Sequence, residues 1–422
     1  MRNNRLLFLV CIVLLASSMG AQNMSQSAAA PGSFAEVIHG VYAVFPTIIL
    51  SDPGHRSLVA VSPQLQGRVF TSSADGWNGR SLGWVDRKFI DSRQVVEHYN
   101  PYGGEDRVWI APEGGQFSIF FAPNVPFDLA HWYTPGAIDT QPFDIVDRSP
   151  TSVKFSKSFS LQNRTGTKFN IRIDRQVKLL STAQIWADLK VKPVDGVKMV
   201  GFESLNVLTN AGNTAWEKKS GLLSIWILGQ FQASPNTTIV IPVHEGSVAE
   251  LGVPVTSNYF GPIPADRLVI KANAIYMKAD AEYRGKLGIN PARGKGLLGS
   301  YDANNHVLTI VQHTLPKPGA DFVKNTWEIQ DDPFKGDMTN AYNDGPAADG
   351  SRLGHFYEME SVSPAMELKA GQSIEHMQRT IHLEGDEKEL DQIARAVLGV
   401  SLDEIRSALP SVAAKASTDQ NR

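Results

Sequence analysis

The sequence predicts a mostly β protein: one large domain of stacked antiparallel sheets, followed by a short C-terminal helical segment. Three observations predict it. Short apolar or alternating runs recur from Phe34 to about residue 385, each bounded by turn residues. Glycine and proline are frequent, at 35 and 24, as a chain full of turns requires. Helical spacing of apolar residues is sustained only after Asp386.

At the N-terminus, Arg2 and Arg5 precede an apolar run from Leu6 to Ala16. Small residues follow at Ser17, Ser18, Gly20 and Ala21, and the chain turns polar at Gln22. That order of charge, apolar stretch and small residues is that of a secretory signal, and the run is shorter than the ~20 residues of a spanning helix. Residues 1–21 are therefore expected to be removed near Ala21, leaving a secreted or periplasmic protein. The plainer alternative is an N-terminal helix packed into a core. Cys11, the one cysteine, lies inside the run. Its removal would leave no disulfide, no thiolate nucleophile and no cysteine-bound zinc. Residues 22–33 read as a flexible leader. A domain without disulfides rests on its apolar core, and 42% hydrophobic residues in 422 supply one.

Net charge is −3 with both signs interspersed. No basic stripe of the kind nucleic acid requires is present, and no later apolar run is long enough to cross a membrane. Neither a nucleic-acid partner nor a membrane span is expected.

The runs that read as strands include Ser57–Val61, Phe117–Phe121, Lys168–Ile173, Ala187–Val191, Thr238–Pro242, His306–Gln312 and Met366–Leu368. Turns separate them at Asp52-Pro53-Gly54, Lys317-Pro318-Gly319 and Asp344-Gly345-Pro346. No linker interrupts residues 34–385, which read as one domain. In 386–409, Asp386 stands three residues before Glu389, and Leu390, Ile393, Ala394, Val397 and Leu398 recur at helical spacing up to Gly399. Ser401 and Glu404 form a second capping box that opens a short helix to Leu409. The small polar residues 410–422 are expected to be disordered.

Three segments hold more polar, aromatic and glycine residues than strands and turns require. In 97–115, two glycine pairs flank a short strand in which Arg107 and Trp109 share a face. An aromatic surface beside a fixed fork of donors suits a sugar, with its C–H faces and hydroxyl edges. Glu113 closes that segment and His98 opens it; histidine is the side chain suited to exchanging a proton near neutral pH. The plainer reading pairs Arg107 with Glu105 or Glu113 and buries Trp109 in the core.

In 341–364, Tyr342-Asn343-Asp344-Gly345-Pro346 is followed by His355 to Ser361. Read as a strand, His355, Tyr357 and Met359 share one face, and Phe356, Glu358 and Glu360 the other. Two carboxylates on one face raise one another's pKa and make a candidate base and acid. They would also suit calcium, which takes oxygen ligands, or they form a charged solvent face. In 279–289, Asp280, Glu282, Arg284 and Lys286 share one side of a regular strand, as in a ladder of ion pairs. Trp216 and Trp226 are expected in the core. No phosphate-binding loop, no His-Glu-x-x-His and no Gly-x-Ser-x-Gly is present.

In order and spacing, these segments resemble the galactose-mutarotase-like superfamily, nearest to its uncharacterised secreted bacterial members. The resembling residues are Gly103-Gly104-Glu105-Asp106-Arg107-Val108-Trp109, Pro112-Glu113-Gly114-Gly115, Ala215-Trp216, Tyr283 to Gly288, and Tyr357-Glu358-Met359-Glu360-Ser361 leading to Pro364-Ala365. The resemblance covers roughly Phe34 to Leu383. It implies a large antiparallel β-supersandwich and a carbohydrate partner, whether mono-, oligo- or polysaccharide. Aldose epimerases of that superfamily use a late-chain glutamate as base and a histidine as acid at the anomeric hydroxyl. By that analogy Glu360 or Glu358 is the base and His98 or His355 the acid. Arg107, Trp109, Glu113, Arg284, Asn343 and Asp344 would contact the sugar. No cofactor is implied, calcium being the one ion the carboxylates would suit. The epimerases' pair of mid-chain histidines has only His131 as a stand-in. The superfamily also includes lyase and glycosidase domains and non-catalytic relatives. Three readings therefore stand: proton transfer at an anomeric centre, glycan binding without catalysis, and a glycosidase or lyase with paired carboxylates.

Overall fold

Alternation of buried and exposed residues runs through the long strands, as in Lys168–Leu179, and sets one face of each against a core. The computed structural model describes residues 29–347 and 350–410. The expected signal at 1–21, most of the leader and residues 411–422 of the tail lie outside the described residues. Ten strands form one antiparallel sheet in the order Leu268–Ile270, Ala274–Lys278, Thr237–Pro242, Leu297–Asp302, Val307–His313, Ser373–Glu384, Lys198–Asn210, Lys168–Leu179, Ser152–Gln162 and Asp144–Ser149. A five-stranded sheet runs Gly285–Ile289, Thr339–Asn343, Phe356–Val362, Ser224–Gln232 and Arg107–Ala111. A three-stranded sheet joins Ile48–Ser51, Leu58–Ser62 and Arg68–Ser73. The protein is thus mostly β, with large antiparallel sheets and short C-terminal helices.

The five-stranded sheet packs one face on the ten-stranded one. Val108, Ile110, Ile225 and Ile227 meet Phe155, Phe169, Ile171, Ile173 and Phe202 in one core cluster. Leu287, Ala341 and Met359 meet Ile239, Leu298 and Val311 in another. Each of these side chains larger than alanine contributes about 1.5–3 kcal/mol by leaving water. On the far side of the ten-stranded sheet, helices Thr182–Leu189, Glu387–Leu398 and Leu402–Ser407 cover Val240, Tyr276, Leu308, Ile310 and Ile381.

Several elements differ from expectation. Ala187–Val191 is not a strand: Ser181 and Gln184 form a reciprocal capping box that starts a helix, and Lys190 ends it in the left-handed conformation. Helix Phe34–Tyr42, capped by Ser33, opens the domain where a strand pattern was expected. Phe117–Phe121 is irregular because its aromatic rings pack into a cluster; Phe120 stacks on Trp132 at 5.7 Å. Met366–Leu368 joins no ladder. Of the charged run 280–286 only Gly285 and Lys286 are in a strand, since Ala281 takes a positive φ of 56°. Its charges therefore go to separate partners: Asp280 to Arg267, Glu282 to Arg352, Arg284 to Asp344 and Lys286 to Glu360. Asp386 stands at the N-cap without a side-chain bond, whereas the Ser401–Glu404 box makes both of its bonds. Among the described residues no helix is long and apolar enough to cross a membrane.

Candidate functional site

The register of the five-stranded sheet assembles the site. Trp109 lies opposite Trp226, Arg107 opposite Leu228, Leu228 opposite Glu360, and Gln230 opposite Glu358. Glu358 in turn lies opposite Tyr342, and Tyr342 opposite Lys286. Because side chains alternate along a strand, all of these project from the face turned away from the ten-stranded sheet. That face is the floor of a cavity of about 450 Å³, within the ~300–1,000 Å³ typical of ligand sites. His98, Tyr99, Glu113, Trp132, Trp327 and Phe356 form its walls, and Val96, Leu129, Phe260 and Leu353 its mouth.

The two glycine pairs are local requirements of this placement. Gly103 has a φ of +85°, and a Cβ there would come within 2.3 Å of the Trp84 carbonyl oxygen. At Gly114 a Cβ would come within 2.2 Å of the Thr326 carbonyl oxygen, so the turn carrying Glu113 closes against the Trp327 segment only with glycine.

The floor holds charges out of water. Arg107 Nη2 donates to Glu358 Oε1 at 2.6 Å and its Nη1 to the Tyr99 hydroxyl at 3.1 Å, with the guanidinium 5.0 Å from the Trp109 ring centroid. Lys286 Nζ and Trp226 Nε1 donate to Glu360 Oε2 at 3.0 and 2.8 Å. Burial pushes the Glu113 carboxyl up to about 7; Lys286 and the indoles of Trp327 and Trp132 oppose that shift and Glu360 adds to it. The Trp132 Nε1 stops short of a full hydrogen bond. Burial, reinforced by Glu360, also holds Glu358 above the ordinary carboxylate range against the pull of Arg107. Burial alone would lower the Lys286 ammonium, but Glu360, Glu113 and Glu358 together raise it. Lys286 therefore stays charged and is no nucleophilic amine. Trp109 Nε1, Gln230 Oε1 and Glu360 Oε1 are buried and make no hydrogen bond within the protein, so the floor offers both donors and acceptors to a bound hydroxyl.

Of the residues singled out in the sequence, Arg107, Trp109, Glu113, Arg284, Glu358 and His98 line the cavity, and Glu360 lies fully buried beneath Lys286 and Trp226. Arg107 pairs with neither Glu105 nor Glu113 but with Glu358, 251 positions away. Glu105 instead accepts from Ser72 and bonds His382. Three residues fall outside the cavity. His355 is exposed on the surface, 4.0 Å from Glu282. Asn343 projects from the opposite face to Tyr342 and ties down the 280–284 turn through Ala281 N–H and the Tyr283 carbonyl. Asp344 accepts from the Tyr342 hydroxyl and from Gly354 N–H and faces Arg284 at 3.7 Å, so it positions wall residues without reaching the cavity. His131 sits on the surface against Asp128.

The calcium alternative meets cations already in place, since Arg107 and Lys286 occupy the approaches to Glu358 and Glu360. Among the described residues no three His, Cys, Asp or Glu side chains group as a metal site. Tyr99, Gln230, Trp132, Trp327 and Lys286 were not foreseen as site residues. Trp226, expected in the core, is buried in the main core cluster and also lies at the cavity floor. Its signal was the alternation that sets it on one face with Leu228 and Gln230.

The sequence matches the family of unknown function DUF6786 over residues 32–409, and the chain belongs to that family. No curated protein matches it. Solved structures similar to it include a galactose mutarotase-like protein from Lactobacillus casei, 12% identical with a TM-score of 0.46, covering 80% of this chain and 100% of that one. A protein provisionally called an aldose 1-epimerase from Escherichia coli K12 is 14% identical with a TM-score of 0.45, covering 81% of this chain and 100% of that one. A galactose mutarotase related enzyme from Lactobacillus acidophilus is 9% identical with a TM-score of 0.41, covering 80% and 97%. Galactose-mutarotase-like proteins, the resemblance expected from the sequence, are thus among those to which the fold is similar.

Proposed function

We propose that this protein binds a carbohydrate in the cavity and exchanges a proton with it at or near the anomeric centre, with Glu113 and Glu358 as the acid–base pair. The observation that carries the reading is two carboxyls held above their ordinary range in a pocket walled by indoles. The half-buried indoles of Trp132 and Trp327 offer flat surface to the C–H face of a pyranose, whereas Trp109 and Trp226 lie beneath Arg107 and Lys286. Trp109 Nε1 donates to a hydroxyl, and Gln230 Oε1 accepts from one. A carboxyl titrating near the working pH is the most effective proton carrier, because both of its forms are populated. Glu113 meets that condition at about 7. The charged Lys286 beside it stabilises an oxygen that becomes anionic as its proton leaves.

His98 is a second carrier at the wall. Its Nδ1 is committed to the Trp132 carbonyl at 2.7 Å, which leaves Nε2 as the acceptor in the neutral ring. This assignment puts Glu113 where the resemblance implied His98 or His355 as the acid, keeps Glu358 of the two expected bases, and gives Glu360, bonded to Lys286 and Trp226, a positioning part.

A second reading, glycan binding without turnover, is favoured by the Arg107–Glu358 and Lys286–Glu360 ion pairs, which commit two of the acids structurally. The test is to incubate the protein with mono-, oligo- and polysaccharides and follow anomeric signals by NMR. Glu113→Gln should bind yet lose at least about a hundredfold in rate, the usual contribution of a general acid or base. Binding by the wild type with no turnover on any of them leaves the glycan-binding reading. Export belongs to the same proposal, and its check is a mature N-terminus at Gln22.

A further inference from the structure

Arg107, Lys286, Arg284 and Arg352 all line the cavity, and they are not equally engaged. Arg107 donates to Glu358 at 2.6 Å and Lys286 to Glu360 at 3.0 Å, so both cations are committed within the protein. Arg284 differs. Its nearest carboxylate, Asp344, stands 3.7 Å away, is fully buried, and already accepts from the Tyr342 hydroxyl and from Gly354 N–H. Asp344 therefore balances the charge of Arg284 and takes none of its N–H donors. Among the described residues Arg284 makes no hydrogen bond; its Nε is buried, and its side chain is 17% exposed at the cavity wall. A guanidinium whose planar fork is unused can hold a carboxylate through two parallel bonds.

The turn beneath Arg284 fixes its place. Asn343 accepts from Ala281 N–H and donates to the Tyr283 carbonyl. Gly345 lets the two segments meet, since a Cβ there would come within 2.5 Å of the Arg284 backbone nitrogen. A donor held in this way loses little freedom when a ligand arrives. At the rim, Arg352 donates to the Ala281 carbonyl at 3.3 Å and faces Glu282 at 3.6 Å, with both side chains in water at 36 and 55% exposure. Such an exposed pair is weak and readily exchanged for a ligand. The guanidinium of Arg284 lies 5.9 Å from the centre of the Phe260 ring, and the half-buried Trp327 meets the same ring edge-on at 6.5 Å. The unused fork and an indole thus share one wall.

We infer that the ligand is an acidic sugar, a hexuronic acid or a short oligosaccharide containing one, with its carboxylate on Arg284 and its ring against Trp327. The inference rests on the carbohydrate reading and narrows it. A carboxylate brings one charge, whereas a phosphate monoester brings nearly two into a cavity that already holds Glu113 and Glu358. Titration calorimetry on matched sets tests it: a hexose, its uronic acid and its 6-phosphate in the gluco, galacto and manno series, with neutral and uronate oligosaccharides beside them. The uronic acids should bind at least about tenfold tighter than the parent hexoses, as expected for a hydrogen bond to a charged group. Arg284→Gln should erase that preference. Arg284→Lys still balances Asp344 but lacks the fork, so it keeps the test decisive where the first variant fails to fold, and it should retain only part of the preference. Uronic acids binding no tighter than hexoses, strongest binding by the 6-phosphates, or a preference unchanged in the Arg284 variants overturns the inference while leaving the carbohydrate reading intact. Binding of no member of any set overturns both.

Discussion

Two acids flank the short strand Arg107–Ala111 and meet opposite fates. Glu105 lies between the sheets, where Ser72 N–H donates to Oε1 at 2.6 Å, the Ser72 hydroxyl reaches both oxygens, and His382 Nε2 stands 3.0 Å from Oε2. Glu113 lies in the cavity wall with no cation of its own, its carboxyl pushed up to about 7 by burial. The same contrast separates the two faces of the five-stranded sheet. On the interior face, Ser361 bonds His376 Nε2 and Gln378 and His313 bonds Thr339, while the buried ion pair of Asp106 with Arg175 is enclosed by Ser204 and Asn206. Burial lowers His313 to about 4, and His376 is lowered further by burial and by His313. On the cavity face, one residue along the same strand, Glu360 and Glu358 stand with Lys286 and Arg107. The interior carboxyls of Glu105 and Asp106 have partners within the protein, whereas the cavity wall keeps a carboxyl, Glu113, that forms no ion pair among the described residues.

The sharpest way to break this comparison is at Arg107. Arg107→Ala leaves Glu358 buried without its partner and should destabilise the protein by about 3–5 kcal/mol in urea unfolding at pH 7.5. Arg107→Met combined with Glu358→Gln should recover most of the loss. No recovery would mean that Arg107 acts through packing alone.

Glu113 gives the next largest effect, and its sign depends on pH. Its folded pKa is raised above the unfolded value of 4.5 to about 7. The folded state then holds the proton more tightly, and stability falls as pH rises from about 4.5 to 7 and levels off above. Glu113→Gln removes that loss. The variant should match the wild type near pH 4 and exceed it at pH 8 by about 3 kcal/mol, since one pKa unit corresponds to about 1.4 kcal/mol. A variant less stable than the wild type at pH 8 would place a charged, compensated carboxylate at this position.

The interior face should respond in the opposite sense. Ser361→Ala strands His376 and Gln378 and should lower stability by about 1–3 kcal/mol, with no change in any saccharide affinity. A change in affinity would erase the distinction between the faces.

Much of this was legible in the residue order. Period-two alternation put Arg107 with Trp109 and Glu358 with Glu360, because that regularity is local to a strand. Which strands become neighbours was not legible. The contacts Arg107–Glu358 and Lys286–Glu360 span 251 and 74 positions, and packing of the sheets sets that register. The sequence therefore left Glu105 and Glu113 as partners for Arg107, and neither serves. Asn343 and His355 failed for a local reason: each lies one position out of phase with the cavity-facing residue beside it, Tyr342 and Phe356. Helices Phe34–Tyr42 and Thr182–Leu189 were missed although Ser33 with Glu36, and Ser181 with Gln184, carry capping-box spacing.

Four of the eight tryptophans, Trp109, Trp132, Trp226 and Trp327, line the cavity. Tryptophan fluorescence during titration with a panel of saccharides and glycosides therefore reads the site directly. A saturable change with at least one of them, lost or weakened at least about tenfold in Trp327→Ala, is the predicted result. No change with any of them, or an identical titration in that variant, would contradict the placement of a sugar on this face of the sheet.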